Sequence, residues 1–102
     1  MMVQLNDGRI KTTPAMLGFV RAHIGRALQR FEPRITRVDV SFRDLNGPRG
    51  GIDKECEIRA QLRDGSGVIA GVRDQDFYGA VRRAAAKLKG NVARTHSRRT
   101  RG

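Results

Sequence analysis

Cysteine is almost missing from this sequence, tryptophan is missing altogether, and tyrosine occurs once. A single thiol, Cys56, forms no internal disulfide and rules out any multi-cysteine metal site, which agrees with a reducing compartment. Long apolar runs are also missing: none approaches the roughly 18 residues that a membrane span needs. The opening residues MMVQLNDGRIK contain no basic stretch followed by an apolar one, so nothing marks a secretory signal and a cytoplasmic address is expected. Neither His23 nor His96 has a partner at the spacing of a zinc site or a general-base pair. Cys56 is in phase with Ile58 and Leu62 and reads as a buried apolar residue rather than a nucleophile. The expectation is therefore a protein that is not an enzyme, with no catalytic residue, metal, cofactor, small-molecule substrate or membrane partner.

Acids are missing from one whole quarter of the chain. Residues 77–102 carry Arg82, Arg83, Lys87, Lys89, Arg94, Arg98, Arg99 and Arg101 and no Asp or Glu. The remaining 13 of the 21 bases share residues 1–76 with all 10 acids, leaving a net of +3 there against +11 for the chain. A second acid-free stretch, Gly8 to Phe31, supplies Arg9, Lys11, Arg21, Arg26, Arg30 and the titratable His23. Charge this concentrated predicts a polyanionic partner, and the excess of arginine over lysine suits bidentate phosphate contacts and stacking on exposed bases.

At 102 residues the chain fits one compact domain. Met2 to Leu5 alternates and predicts a short strand. Thr13 is a good N-cap and Pro14 suits the first helical position; Met16, Leu17, Val20, Ile24, Ala27, Leu28 and Phe31 then recur at three and four, predicting a helix that Pro33 ends after Glu32. Ile35 to Asp44 and Glu55 to Leu62 alternate as half-buried strands. Asp64-Gly65 and Gly67 predict a hairpin into a fourth strand, Val68 to Arg73. Between the middle strands, Leu45 to Asp53 holds Asn46-Gly47-Pro48-Arg49-Gly50-Gly51 and reads as a long connection. From about Asp76, Phe77, Val81, Ala84, Leu88 and Val92 form one apolar stripe of a second helix, flanked by Ala80 and Ala85, with Gly90-Asn91 as a weak point at which it stops or beyond which it continues to Arg94. The predicted fold is α+β: β-α-β-β-β-α, a four-stranded sheet with two helices on one face, similar to double-stranded-RNA-binding folds. Residues 1–94 make the domain and 95–102 a basic flexible tail.

Basic side chains fall on both sides of the second helix's stripe, Arg83, Lys87 and Arg94 on one and Arg82 and Lys89 on the other, so phosphates are met along both flanks. His23, Arg26 and Arg30 on the first helix and Arg98 and Arg99 beyond the second complete the expected RNA-binding set. Mixed charges on the strands, Arg37, Asp39 and Arg43 against Glu55, Glu57 and Arg59, read as cross-strand pairs on a solvated face. Phe42 is in phase with Val38 and Val40 and belongs to the core. Gly47-Pro48-Arg49-Gly50 matches the letters of a GxxG clamp, but it lies between strands where that motif lies between helices. Tyr78 either packs at the edge of helix and sheet or stacks on a base, packing being the preferred reading.

Asp76-Phe77-Tyr78-Gly79-Ala80-Val81, followed by Ala84, Lys87 and Leu88, resembles the second-helix pattern of the bacterial ribosome hibernation factors, the hibernation-promoting factor and ribosome-associated inhibitor family. Thr13-Pro14-Ala15-Met16 through Phe19-Val20 resembles the opening of that family's first helix, and the element order is similar. The resemblance implies binding to the small ribosomal subunit through ribosomal RNA in the decoding channel, where messenger and transfer RNA are blocked and the ribosome is held inactive. It implies that Lys87 matches a family lysine and that His23 and Arg26 stand at positions usually lysine. Arg82, Ala86 and Lys89 depart from the family, where acids are usual. Longer members carry a further domain that pairs ribosomes; this chain resembles the short form and is expected to be monomeric off the ribosome. A general module for double-stranded RNA or other nucleic acid, unrelated to hibernation, is the alternative.

Overall fold

The computed structural model describes residues 1–6, 13–44 and 54–101, with side chains described through Thr95. Four strands, β1 (Met2–Asn6), β2 (Ile35–Asp44), β3 (Lys54–Leu62) and β4 (Gly67–Asp74), form one sheet in the order β1-β2-β3-β4. β1 runs parallel to β2 and the other neighbours are antiparallel. Two helices, α1 (Pro14–Ala27) and α2 (Phe77–Arg101), supply the rest of the core. α1 joins the parallel pair β1 and β2 as a crossover, and α2 follows β4, which has the same direction as β2; the two helices therefore run side by side in one direction.

The register turns the alternation of the strands into rows of side chains. Val3, Val38, Ala60 and Val68 form one row on the helix side; Leu5, Val40, Ile58 and Ala70 form the next, and Phe42, Cys56 and Val72 a third. The row members on β2 and β3 are all buried. Ile35 breaks the period: it is buried although it lies three positions, an odd step, before Val38. The register slips between Ile35 and Arg37, so Thr36 is an extra, bulged residue, and its hydroxyl donates to the Gln61 carbonyl at 3.1 Å. The β3–β4 hairpin turns on Gly65 at φ 94°, the one positive φ among the described residues, with Asp64 Oδ1 accepting from the Ser66 amide at 2.8 Å.

α1 begins as its sequence dictates. Thr13 is extended, its Oγ1 accepts from the Met16 amide at 3.1 Å, and Pro14 follows at the first helical position. Its end differs from the expectation of a helix to Glu32. The α-helix stops at Ala27 and Gln29–Arg34 is a 3-10 helix, in which the Phe31 amide donates to the Leu28 carbonyl. Pro33 has no N–H and disfavours the α conformation in Glu32, so the chain tightens into i to i+3 bonds. Leu28 and Phe31 stay buried and close the bottom of the core.

α2 is capped by Asp76, whose carboxylate accepts from the Gly79 amide (3.3 Å) and whose carbonyl accepts from Ala80. Ala80, Val81, Ala84, Ala85, Leu88 and Val92 are all buried, and Phe77 meets Phe42 edge to face at 5.0 Å between ring centres. The backbone stays helical through Gly90-Asn91 and through residue 95, where the sequence reading began a separate tail, as far as Arg101. Asn91 accounts for part of this: its side chain leaves the helix backbone alone and donates to the Ile69 carbonyl on β4 at 3.1 Å. The glycine-rich connection of residues 45–53 lies outside the described residues. No helix among the described residues is long and apolar enough to cross a membrane.

Because Gly90 sits inside a continuous helix, and a Cβ there would meet nothing closer than Arg94 Nη1 at 3.6 Å, Gly90→Ala is expected to raise the unfolding free energy by about 1 kcal/mol. Chemical denaturation checks this; an unchanged or lowered midpoint would mean that the helix breaks at 90.

Candidate nucleic-acid interface

Parallel helices on one sheet face leave a groove between them. Its walls are His23, Arg26 and Ala27 from α1 and Arg82, Ala85, Ala86 and Lys89 from α2, around a volume of about 370 Å³. The alanines let the helices come close, and His23 with the three bases lines the space with no carboxylate among them. Arg26, Arg82 and Lys89 are exposed and form no hydrogen bond or ion pair with another described residue, so their full donor capacity faces solvent. Arg82 and Lys89, with Ala86 beside them in the lining, are positions at which the sequence is expected to depart from the family it resembles. The fold brings them opposite His23 and Arg26 across 56 or more residues of sequence.

The opposite flank of α2 behaves differently. Arg83 Nη1 donates to the Arg73 carbonyl (3.0 Å) and reaches Asp74 Oδ2 (3.4 Å); Lys87 Nζ donates to the Gly71 carbonyl (3.3 Å). With Asn91 on Ile69, side chains one helical turn apart take up alternate carbonyls along β4. Arg83 and Lys87, expected as free phosphate ligands, thus also fasten the helix to the sheet. Arg83 stays 64% exposed, which leaves other guanidinium N–H groups open to a ligand. Arg73 joins them at a cleft of about 640 Å³ whose lining also includes Glu55. Sequence reasoning missed Arg73 because it belongs to a strand of mixed charge, and only the adjacency of β4 and α2 associates it with the helix.

The remaining expected residues are scattered. Arg94 donates to the side chain of Asn91 on its own helix. Arg30 lies beyond the end of α1, its guanidinium 5.8 Å from the centre of the Phe31 ring. The side chains of Arg98 and Arg99 lie outside those described.

Charges on the solvated sheet face are paired, though only partly across strands. Arg37 meets Asp39 at 3.0 Å and Arg59 meets Glu57 at 2.8 Å, each within its own strand; Glu55 meets Arg73 (3.4 Å) and Arg43 (3.9 Å) across strands. Such exposed pairs contribute little stability, about 0–1 kcal/mol each, yet they neutralise that face. The bases that remain uncommitted are concentrated on the helices.

Among the described residues, Cys56 and Asp74 are displaced from their ordinary values. Burial, reinforced by the nearby Glu55 and Glu57 carboxylates, pushes the Cys56 thiol up to about 12, so it stays protonated and unreactive as a nucleophile at neutral pH. At Asp74, partial removal from water acts upward, but hydrogen bonds from the Gln75 and Asp76 amides and from Arg83 outweigh it and hold the carboxyl below its ordinary 3.8. Among the described residues no group of three or more His, Cys, Asp or Glu is placed to hold a metal.

Comparison with known proteins gives three findings. A family model described as sigma 54 modulation protein / S30EA ribosomal protein matches residues 3–100. The chain resembles the Protein Y N-terminal domain of Thermus thermophilus, at 25% identity and a TM-score of 0.75 over 93% of this chain and 99% of that one. A ribosomal subunit interface protein from Coxiella burnetii shares the fold at 18% identity and a TM-score of 0.73, over 95% of this chain and 99% of that one. No curated protein matches in sequence.

The two flanks of α2 are expected to respond differently to mutation. Arg83→Ala with Lys87→Ala removes two exposed bonds to β4 and is expected to lower the unfolding free energy by about 1 kcal/mol; Arg82→Ala with Lys89→Ala is expected to leave it within about 0.5 kcal/mol. Equal losses in urea denaturation would contradict the distinction. Asp74 supplies a pH signature. Its folded-state pKa is lowered, so its contribution is present above the ordinary 3.8 and is lost as pH falls through the folded value. The stability advantage of the parent over Asp74→Asn is therefore expected at neutral pH and to shrink in acid, as thermal melts across that range would show.

Proposed function

Because the chain belongs to the sigma 54 modulation protein / S30EA ribosomal protein family, a ribosome-associated family matched here over residues 3–100, we propose that it binds the small ribosomal subunit. In this reading its helices lie against ribosomal RNA in the decoding channel, exclude messenger and transfer RNA, and hold the ribosome inactive. It acts by occupancy and not by catalysis. The observation that carries the reading is the interhelical groove, where His23, Arg26, Arg82 and Lys89 converge without a carboxylate among the lining residues. Flexible cations without partners among the described residues neutralise phosphates and release counterions, a contact that positions the protein on RNA shape without reading sequence.

The paired charges of the sheet face support the same orientation. A molecule with one neutralised face and one cationic face is turned by its own field, so the helix side leads as it approaches a polyanion. The similarity to the Protein Y N-terminal domain and to a ribosomal subunit interface protein is in keeping with this.

Co-sedimentation tests it: the chain is mixed with small subunits, large subunits and plain duplex RNA at low and near-physiological salt. Selective retention on the small subunit that survives the higher salt is expected, together with inhibition of translation in vitro. Arg26→Ser, Arg82→Ser and Lys89→Ser combined are expected to weaken retention by an order of magnitude or more, since roughly three phosphate contacts are lost. Equal binding to all three targets would instead favour a general nucleic-acid module.

A further inference from the structure

Tyr78 is the one aromatic ring of the chain that lies more than a third exposed, at 37%; Phe31 and Phe42 are buried and Phe19 and Phe77 half-buried. It does not stand alone. The Phe19 ring of α1 meets Tyr78 edge to face at 4.7 Å and lies 4.2 Å from the His23 ring at a tilt of 36°. Three rings from two helices therefore form one continuous cluster, and its last member, His23, lines the basic groove. Arg82 follows Tyr78 by one helical turn and Arg26 follows His23 by one turn, so on both helices an aromatic ring is succeeded by a cation on the same face. As the helices run in the same direction, the rings gather at one end of the groove and the cations occupy the rest.

We infer that this cluster is a stacking platform for an unpaired base, and that the groove takes a single-stranded RNA segment with a base on Tyr78 and the following phosphates on Arg26, Arg82 and Lys89. The inference rests on the RNA-binding reading above and adds to it the kind of RNA engaged. Bases inside a duplex are already stacked and present no free face, whereas single strands bind where a cationic track adjoins aromatic faces. Phe19 braces Tyr78 from below, so the ring meets a base already ordered, with little conformational entropy left to lose.

The composition provides the probe. With one tyrosine and no tryptophan, the intrinsic emission of the whole chain reports on Tyr78. The full chain is titrated with a short single-stranded oligoribonucleotide, an abasic oligomer with the same number of phosphates, and a blunt duplex. Saturable quenching of the parent is expected with the first alone; affinities, read for parent and variant from the anisotropy of a fluorophore carried by each oligomer, are expected to be about tenfold weaker for the abasic oligomer in the parent. Tyr78→Leu, which keeps apolar packing on Phe19, is expected to lose that tenfold preference while keeping its affinity for the abasic oligomer and its melting temperature. Equal affinity for normal and abasic oligomers, quenching by the abasic one, or a preference that survives in Tyr78→Leu would overturn the platform and leave RNA binding intact. Retention on small subunits with no binding to any of the three oligomers would also overturn the platform. Failure to bind RNA or ribosome in any form would overturn the underlying reading itself.

Discussion

Everything functional in this molecule is positioned by the contact between the apolar stripe of α2 and the sheet. Ala80, Ala84 and Ala85 are small enough to bring the helix close to β3 and β4, and Val81, Leu88 and Val92 fill the space between them. Once that stripe is seated, rotation of the helix is fixed, and with it the direction of every side chain on either flank. Arg82 and Lys89 are turned toward α1, and Arg83, Lys87 and Asn91 toward β4. Truncating a fully buried side chain such as Leu88 removes about 2–5 kcal/mol, a large share of what a domain of this size has in reserve. The interface inherits its geometry from the core.

Charge is distributed by the same layering. Several of the described acids have local work: Asp76 caps α2, Asp74 holds the turn before it, and Glu55 lies between Arg43 and Arg73. Bases on the strands are consumed by those partners. Among the described residues, bases on the helices have few such partners, and Arg26, Arg82 and Lys89 are exposed on the helix side. Surface pairs of this kind contribute little to stability; their effect is to make the field of the molecule one-sided.

Much of this was legible in the sequence because it depends on local rules. Alternation from Ile35 to Asp44 delivers β2 with its observed bounds, Thr13-Pro14 delivers the start of α1, and Asp64-Gly65 delivers the hairpin. What was not legible depends on contacts between distant segments. The bulge at Thr36 serves the pairing with Gln61, which the strand alone does not reveal. Gly90-Asn91 leaves open whether the helix stops there or continues, until Asn91 is seen bonded to β4. Charge and periodicity identified the basic positions on α2, yet they did not show that Arg83 and Lys87 hold the sheet while Arg82 and Lys89 line the groove beside α1. That division follows from which neighbour each flank meets, a tertiary fact. The setting of Tyr78 likewise depends on Phe19, 59 positions away, and on how much of the ring that packing leaves in water.

The polar ladder from α2 to β4 has a consequence for the life of the molecule in solution. An outermost strand normally offers a row of unsatisfied backbone groups on which another chain's strand assembles, the first step toward aggregation. Here the carbonyls of Ile69, Gly71 and Arg73 are already occupied by Asn91, Lys87 and Arg83, and two of those three donors carry positive charge. A second copy approaching that edge would meet a filled template guarded by its own sign of charge. The flank of α2 that faces β4 thereby covers part of the strand's open edge with its own side chains.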